Sequence, residues 1–461
     1  MKKFVALLLS LLLALGAVSA MAEGKVTLTL GIWPEDVDTS GLAAHENDFL
    51  PAFQKAMPDV EVVKAHYKYA VDTFISMAEA GTVPTVFETW YTEPQKLIAG
   101  GFVADITAEL TELGWLDKMN PVVRNILSDK DGKVYGIPRD SYALGLMINA
   151  QVFEDAGLVD ENGLPKYPKT WDEFIEVGKT IKEKTGSAAL CLLAADNAGG
   201  WHFSNIAWTF GATLENQNAD GKWEANLNSP EAVAAMSFVK DLKWKYDLLT
   251  SDPTTENWGT GFAQLGTGAA AMYIGANDAV NMPTAQNGLP VDKLMLVGIP
   301  AGPGGKSYTL SGGTPYMFAK GSTHEQIMAG LKYLECMGRA PILTDAVKTG
   351  MESDAKTRVE QGIPVINLPV PAWADDEYNA YREEVNAKNI NIDPRMFEQY
   401  FNLVHTEGAV RTEEPVQTQD MYSELTKVLQ AVVTDEKADV QALMDTADAN
   451  LQALLDTGVN K

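Results

Sequence analysis

The chain has 461 residues, 36 of them Lys or Arg against 62 Asp or Glu, for a formal charge of −26. With 46% hydrophobic and 21% charged residues it can build real cores over roughly two to four domains, which excludes wholesale disorder. The acid excess repels phosphate backbones and anionic lipid, and so argues against nucleic acid or a membrane surface as partner.

Lys2 and Lys3 precede the apolar run Phe4 to Leu15, and Ala20-Met21-Ala22 fits a small-residue cleavage site ahead of Glu23. Residues 1–22 therefore read as a signal peptide cleaved near Ala22, with a periplasmic or secreted product. The mature chain keeps 34 basic and 62 acidic residues, a charge of −28. No cysteine stands at the cleavage site to carry a lipid. Cys191 and Cys336 both lie in apolar surroundings and are expected as free, buried thiols rather than a bridge.

Val26, Leu28 and Leu30 alternate as in a strand that runs into Gly31-Ile32-Trp33-Pro34. A helix over His45 to Met57 stops at Pro58, Val60 to Val63 is a short strand, Val71 to Ala80 a helix, and Thr85 to Phe87 a third strand before Glu88-Thr89-Trp90-Tyr91. This alternation is that of a parallel sheet with helical crossovers, in which ligands bind beyond the carboxyl ends of strands. Farther on, Thr170-Trp171-Asp172-Glu173 forms a capping box whose Glu reaches back. Trp171, Phe174, Ile175, Gly178 and Ile181 share one face of the helix behind it. Ser229-Pro230 opens another helix, Asp131-Gly132 and Asp220-Gly221 mark turns, and Glu413 to Lys461 is mostly amphipathic helix.

Ten Trp are present, and Trp33, Trp90, Trp201, Trp258 and Trp373 fall in loops or just after strands. Indoles beside acids and amides suit a sugar, whose apolar face stacks on a ring while its hydroxyls donate to oxygen acceptors. Glu35/Asp36 and Asp375/Asp376/Glu377 are the crude candidates for a glycosidase pair, and both read more simply as solvated surface. The five His show no metal spacing, Asp129-Lys130-Asp131-Gly132 reads as a hairpin turn rather than a calcium loop, and Gly302-Pro303-Gly304-Gly305 departs from a phosphate loop. Neither a metal nor a cofactor is expected.

Four stretches taken together resemble the extracellular solute-binding proteins of bacterial carbohydrate ABC transporters, the maltose-binding-protein-like group. They are Gly132 to Pro138 with Leu146-Met147-Ile148-Asn149, Pro168 to Phe174, Gly268 to Gly275, and Gly298 to Gly305 with Ser311-Gly312-Gly313. The resemblance spans most of residues 23–340 and thins beyond about 350. It implies an α/β, two-lobed periplasmic-binding-protein fold with discontinuous lobes and an interlobe ligand cleft. The first lobe would take residues 23–138 plus 297–348, and the second 139–296 plus 349–461. It further implies a non-catalytic monomer that hands a mono- or oligosaccharide to a membrane permease. Trp33, Glu88, Trp90, Tyr91, Arg139, Asp140, Tyr142, Trp201, Trp258, Asn277 and Asp278 are its candidate ligand contacts, with Gly312 and Gly313 letting the backbone approach the ligand. Asn277 and Asp278 stand where family members often carry Trp. A secreted glycoside hydrolase or lyase, and a same-fold binder of a cationic solute such as a polyamine, are the alternatives.

Overall fold

The computed structural model describes residues 25–36, 38–367 and 370–460, so the expected signal peptide lies outside the described residues. Strand β1 (Val26–Leu30) buries Leu28 and Leu30 and pairs in parallel with β2 (Val60–Lys64) and β3 (Val86–Glu88). The crossover into β2 begins earlier than its apolar pattern indicates, at Thr39, because the Asp38 carboxylate accepts the Gly41 N–H and starts the helix there. The crossover into β3 is the Val71–Glu79 helix.

Two long antiparallel strands tie the halves together. β4 (Gly136–Asn149) pairs along Gly136–Ala143 with β10 (Thr309–Phe318), then along Leu144–Ile148 with β8 (Ala270–Ala276). The sheet runs β2-β1-β3-β10-β4-β8-β5, where β5 is Ala188–Cys191; β9 (Leu294–Val297) joins β4, and β11 (Val410–Thr412) joins β10. A small hairpin, β6 (Glu215–Gln217) and β7 (Trp223–Ala225), turns at Gly221 as the Asp-Gly pair indicates. The β4–β10 register shifts between Thr314 and Pro315, where proline has no N–H to give the ladder.

Apolar side chains gather on either side of this crossing. One core holds Leu28, Phe53, Trp115 and Tyr333; a larger one holds Phe174, Leu190, Met236 and Phe262. The tail from 349 onward does not lie wholly with the second lobe. Trp373 is buried in the first core at 6.2 Å from Trp115, and Asp375 bridges Lys118 at 2.9 Å. An indole flanked by acids reads as a loop residue in sequence, but here its ring is core and its N–H donates to the Arg339 carbonyl.

Local signals hold with one adjustment. Thr170 accepts the Glu173 N–H at 3.2 Å, whereas the Glu173 carboxylate reaches past the cap to the Lys169 N–H at 2.7 Å. Cys191 is buried, Cys336 half-buried, and both are free. Asp129 accepts from the N–H groups of Asp131 and Lys133, a side-chain-closed turn.

Candidate functional site: an aromatic cleft on the crossing strands

A cavity of about 440 Å³ opens where both lobes meet the crossing strands. Trp90 reaches it from the loop after β3, Tyr142 from the middle of β4, and Gly313 and Thr314 from β10. The second lobe supplies Trp201 from the Ala198–Thr209 helix, Asp278 from the turn after β8, and Trp258 as the first residue of the helix Trp258–Gly266. Asn257 caps that helix with a full capping box, which fixes where its first indole points. The rings brace one another edge to face, Trp201 lying 5.4 Å from Trp258 and 6.4 Å from Tyr142. Trp90 stays 40% exposed and is steadied on one edge by Tyr69 at 5.6 Å. Such rings offer a preformed apolar wall that loses little entropy when a ligand stacks on it.

Carboxylates complete the lining, and no Lys or Arg is among the lining residues. Asp278 is exposed, and its carboxylate has a hydrogen bond from its own backbone N–H but no ion pair among the described residues. Crowding by the cleft walls, then the nearby charge of Asp140, pushes its carboxyl up to about 6. Burial pushes Glu413 up to about 7, although the Tyr422 hydroxyl donates to it at 3.0 Å and opposes the shift. Asp196 lines the cavity from a left-handed backbone with φ of 49°, and Gln417, just before the Thr418–Thr434 helix, has φ of 45°. One of the three positive-φ non-glycine residues described, Asp196, thus lines the cavity, where strain tends to mark function.

Trp90, Tyr142, Trp201, Trp258, Asp278 and Gly313 come together as anticipated. Others serve the frame. Arg139 donates to Glu88 at 2.9 Å and to Asp140 at 2.6 Å, while Asp140 also accepts the Thr314 N–H at 2.9 Å. This trio is satisfied internally and braces β3, β4 and β10 beside the cavity. The Tyr91 hydroxyl donates to the Asp140 carbonyl at 3.0 Å, and its buried ring covers Gly313. Gly312 and Gly313 also make room for tyrosines: a Cβ would run into Tyr142 at the first and into Tyr91 and the Asp140 carbonyl at the second. Asn277 is buried and accepts the Ala143 N–H at 2.8 Å, pinning its turn to β4. Trp33 is 5% exposed in the first core, with His45 at 5.0 Å and the Lys64 ammonium 4.3 Å above its ring. His202 is fully buried beneath Trp201, and desolvation lowers its pKa to about 3, so it backs the indole as a neutral ring.

Asp196, Asn197, Thr314, Glu413, Gln419 and Tyr422 line the cavity without having been singled out. The last three come from beyond residue 400, where the resemblance thins. A legible signal did exist in Gly199-Gly200. A Cβ on Gly200 would collide with the Tyr422 backbone, so the pair of glycines admits the Thr418–Thr434 helix against Ala198–Thr209. Among the described residues no group of three or more His, Cys, Asp or Glu is placed to hold a metal, and no helix is long and apolar enough to cross a membrane.

Residues 39–340 match the bacterial extracellular solute-binding protein family. The chain belongs to that family. Solute-binding proteins of this family are non-catalytic, which sets aside the glycoside hydrolase alternative. Among curated relatives it is 26% identical over 250 residues to the diacetylchitobiose binding protein DasA of Streptomyces coelicolor, covering 52% of each chain. It spans between 19% and 52% of the length of the first curated relatives it matches. Its fold is that of maltose-bound MalE3 of T. maritima, at a TM-score of 0.66 and 21% identity over 93% of this chain and 99% of that one. UgpB of Mycobacterium tuberculosis, in complex with glycerophosphocholine, superposes at 0.69 with 17% identity over 95% and 100%.

Proposed function

We propose that the protein binds an extracytoplasmic carbohydrate, a mono- or oligosaccharide, in this cleft and delivers it to the permease of an ABC transporter. The observation that carries the reading is the convergence of Trp90, Tyr142, Trp201, Trp258 and Tyr422 from separate parts of the chain on one cavity with Asp196, Asp278 and Glu413. A pyranose stacks its apolar face on the indoles while the carboxylates accept its hydroxyl protons. Closure of the lobes about β4 and β10 then strips water from those bonds and strengthens them. Relatives named for lactose and for diacetylchitobiose, and a neighbour holding maltose, support a sugar. The expected signal peptide supports export to the periplasm or medium, with the protein acting as a monomer at the permease.

Titration calorimetry over a panel of neutral, acidic and amino sugars tests this. Binding of a sugar that Trp201→Ala weakens by about 2 kcal/mol or more supports it; a panel that gives no heat overturns it. A second reading draws on the same carboxylates, which have no basic residue beside them in the lining. A cation, such as a polyamine, would sit among those rings and acids. Spermidine binding without any sugar binding decides for that reading.

A further inference from the structure

The cleft does not end at the indoles. Asp278 also lines a second and larger cavity, of about 850 Å³, between the first lobe and the helices Asp345–Glu360 and Asp376–Lys388. The two compartments differ in charge. Arg339, Arg358 and Arg382 face the second one and balance Asp278, Glu335 and Asp354 there, whereas the indole cavity is lined by acids without a Lys or Arg among its lining residues.

Their partners show which of them are committed. Arg358 pairs with Asp354 at 2.9 Å along its own helix, and Glu335 on the same wall pairs with Lys332 at 2.6 Å. Arg339 makes no ion pair and no side-chain hydrogen bond among the described residues, and its Nε is shut off from water without an acceptor. Its backbone is nonetheless fixed, because its carbonyl accepts the Trp373 N–H at 3.0 Å and Trp373 is buried in the first core. The Arg382 guanidinium lies 4.9 Å over the Tyr378 ring and has no ion pair among the described residues. On the facing turn, Asn277 spends its oxygen on the Ala143 N–H and leaves its buried Nδ2 without an acceptor. The wall therefore holds two guanidinium groups, those of Arg339 and Arg382, with no carboxylate partner among the described residues. A guanidinium fork is matched by an oxyanion that can offer it two oxygens at once.

We infer that this second compartment receives an acidic substituent of the ligand, a carboxylate, sulfate or phosphate, held by Arg339 and Arg382 while the rest of the ligand lies against the indoles. The inference deepens the carbohydrate reading by naming an acidic saccharide, and it does not draw on Arg139, which is already tied to Glu88 and Asp140. Lobe closure would bring the forks and the Asn277 turn toward the same group.

The test is calorimetry with trigalacturonate against neutral galactotriose, with galactose 6-sulfate and galactose 6-phosphate to tell the sources of the anion apart. At least one acidic probe is expected to bind about tenfold or more tighter than its neutral counterpart, with a preference that shrinks as salt rises. Arg339→Gln and Arg382→Gln should each remove most of that preference and leave neutral-sugar affinity within about twofold. Arg382→Lys, which keeps charge and loses the fork, should keep part of it. Arg382 carries the test alone if Arg339→Gln does not fold. Equal binding of acidic and neutral probes, a preference that survives both Gln variants, or no acidic probe bound at millimolar concentration, glycerol 3-phosphate included, overturns the inference. Glycerol 3-phosphate bound through Arg339 and Arg382 while every sugar fails would keep the anion compartment and sink the carbohydrate reading.

Discussion

Two polar clusters meet at the crossing strands and behave in opposite ways. In the Glu88–Arg139–Asp140 trio the guanidinium is matched on both sides, and Asp140 also takes a backbone N–H from β10. Near it in space but far along the chain, Asp278 is exposed with no ion pair among the described residues, and indoles line the same cavity. The trio lies within β3 and β4 and Asp278 just after β8, and both clusters mix charge with aromatic rings. What separates them is charge pairing: the trio fastens the strands that join the lobes, while the carboxylates of the cleft have no ion pair among the described residues and, in the proposed function, face the ligand.

Breaking the frame should cost the most. Gly313→Ala puts a methyl group into the Tyr91 ring and the Asp140 carbonyl, inside a sheet that has no room to shift. A loss of about 3 kcal/mol of stability is expected, read as a lowered midpoint in urea unfolding. Arg139→Met strands Glu88 and Asp140 beside each other, and about 2 kcal/mol is expected to go because the site is only half-buried. A ligand that raises each variant's midpoint by as much as it raises the wild type's would keep frame and cleft distinct.

The cleft residues should show themselves through protons and strain instead. Glu413 titrates at about 7 in the fold against 4.5 ordinarily, so the folded state holds its proton more tightly. Its contribution is present in full below about 4.5, is lost as pH rises to about 7, and is flat above. Glu413→Gln should remove that slope, so that wild type and variant diverge in thermal stability between those limits. Asp196→Gly should raise stability by about 0.5–1 kcal/mol, since its φ of 49° suits glycine, while weakening ligand binding.

Much of the frame was legible because local chemistry writes it. Alternating Val26, Leu28 and Leu30, the stop at Pro58 and the caps at Thr170 and Ser229 all act within a few residues of themselves. The fourteen-residue reach of β4 was not, since only its partners reveal that one strand serves two lobes. The cleft was half legible for the same reason. Trp33 and Trp90 each follow a strand of the same sheet, yet one is covered by His45 and Lys64 and the other is left open. That outcome rests on neighbours distant in sequence. Gln419 and Tyr422 arrive through a helix contact that Gly200 permits, and Glu413 follows a strand that pairs only with β10.

Trp33 and Trp201 offer the sharpest contrast, two indoles alike in sequence setting and unlike in surroundings. Calorimetry of the tightest-binding sugar with Trp201→Ala and with Trp33→Phe, both checked for folding, tests the central claim. Loss of about 2 kcal/mol of binding in the first, with affinity unchanged in the second, is the predicted result. Unchanged binding in Trp201→Ala, or a loss confined to Trp33→Phe, would contradict it.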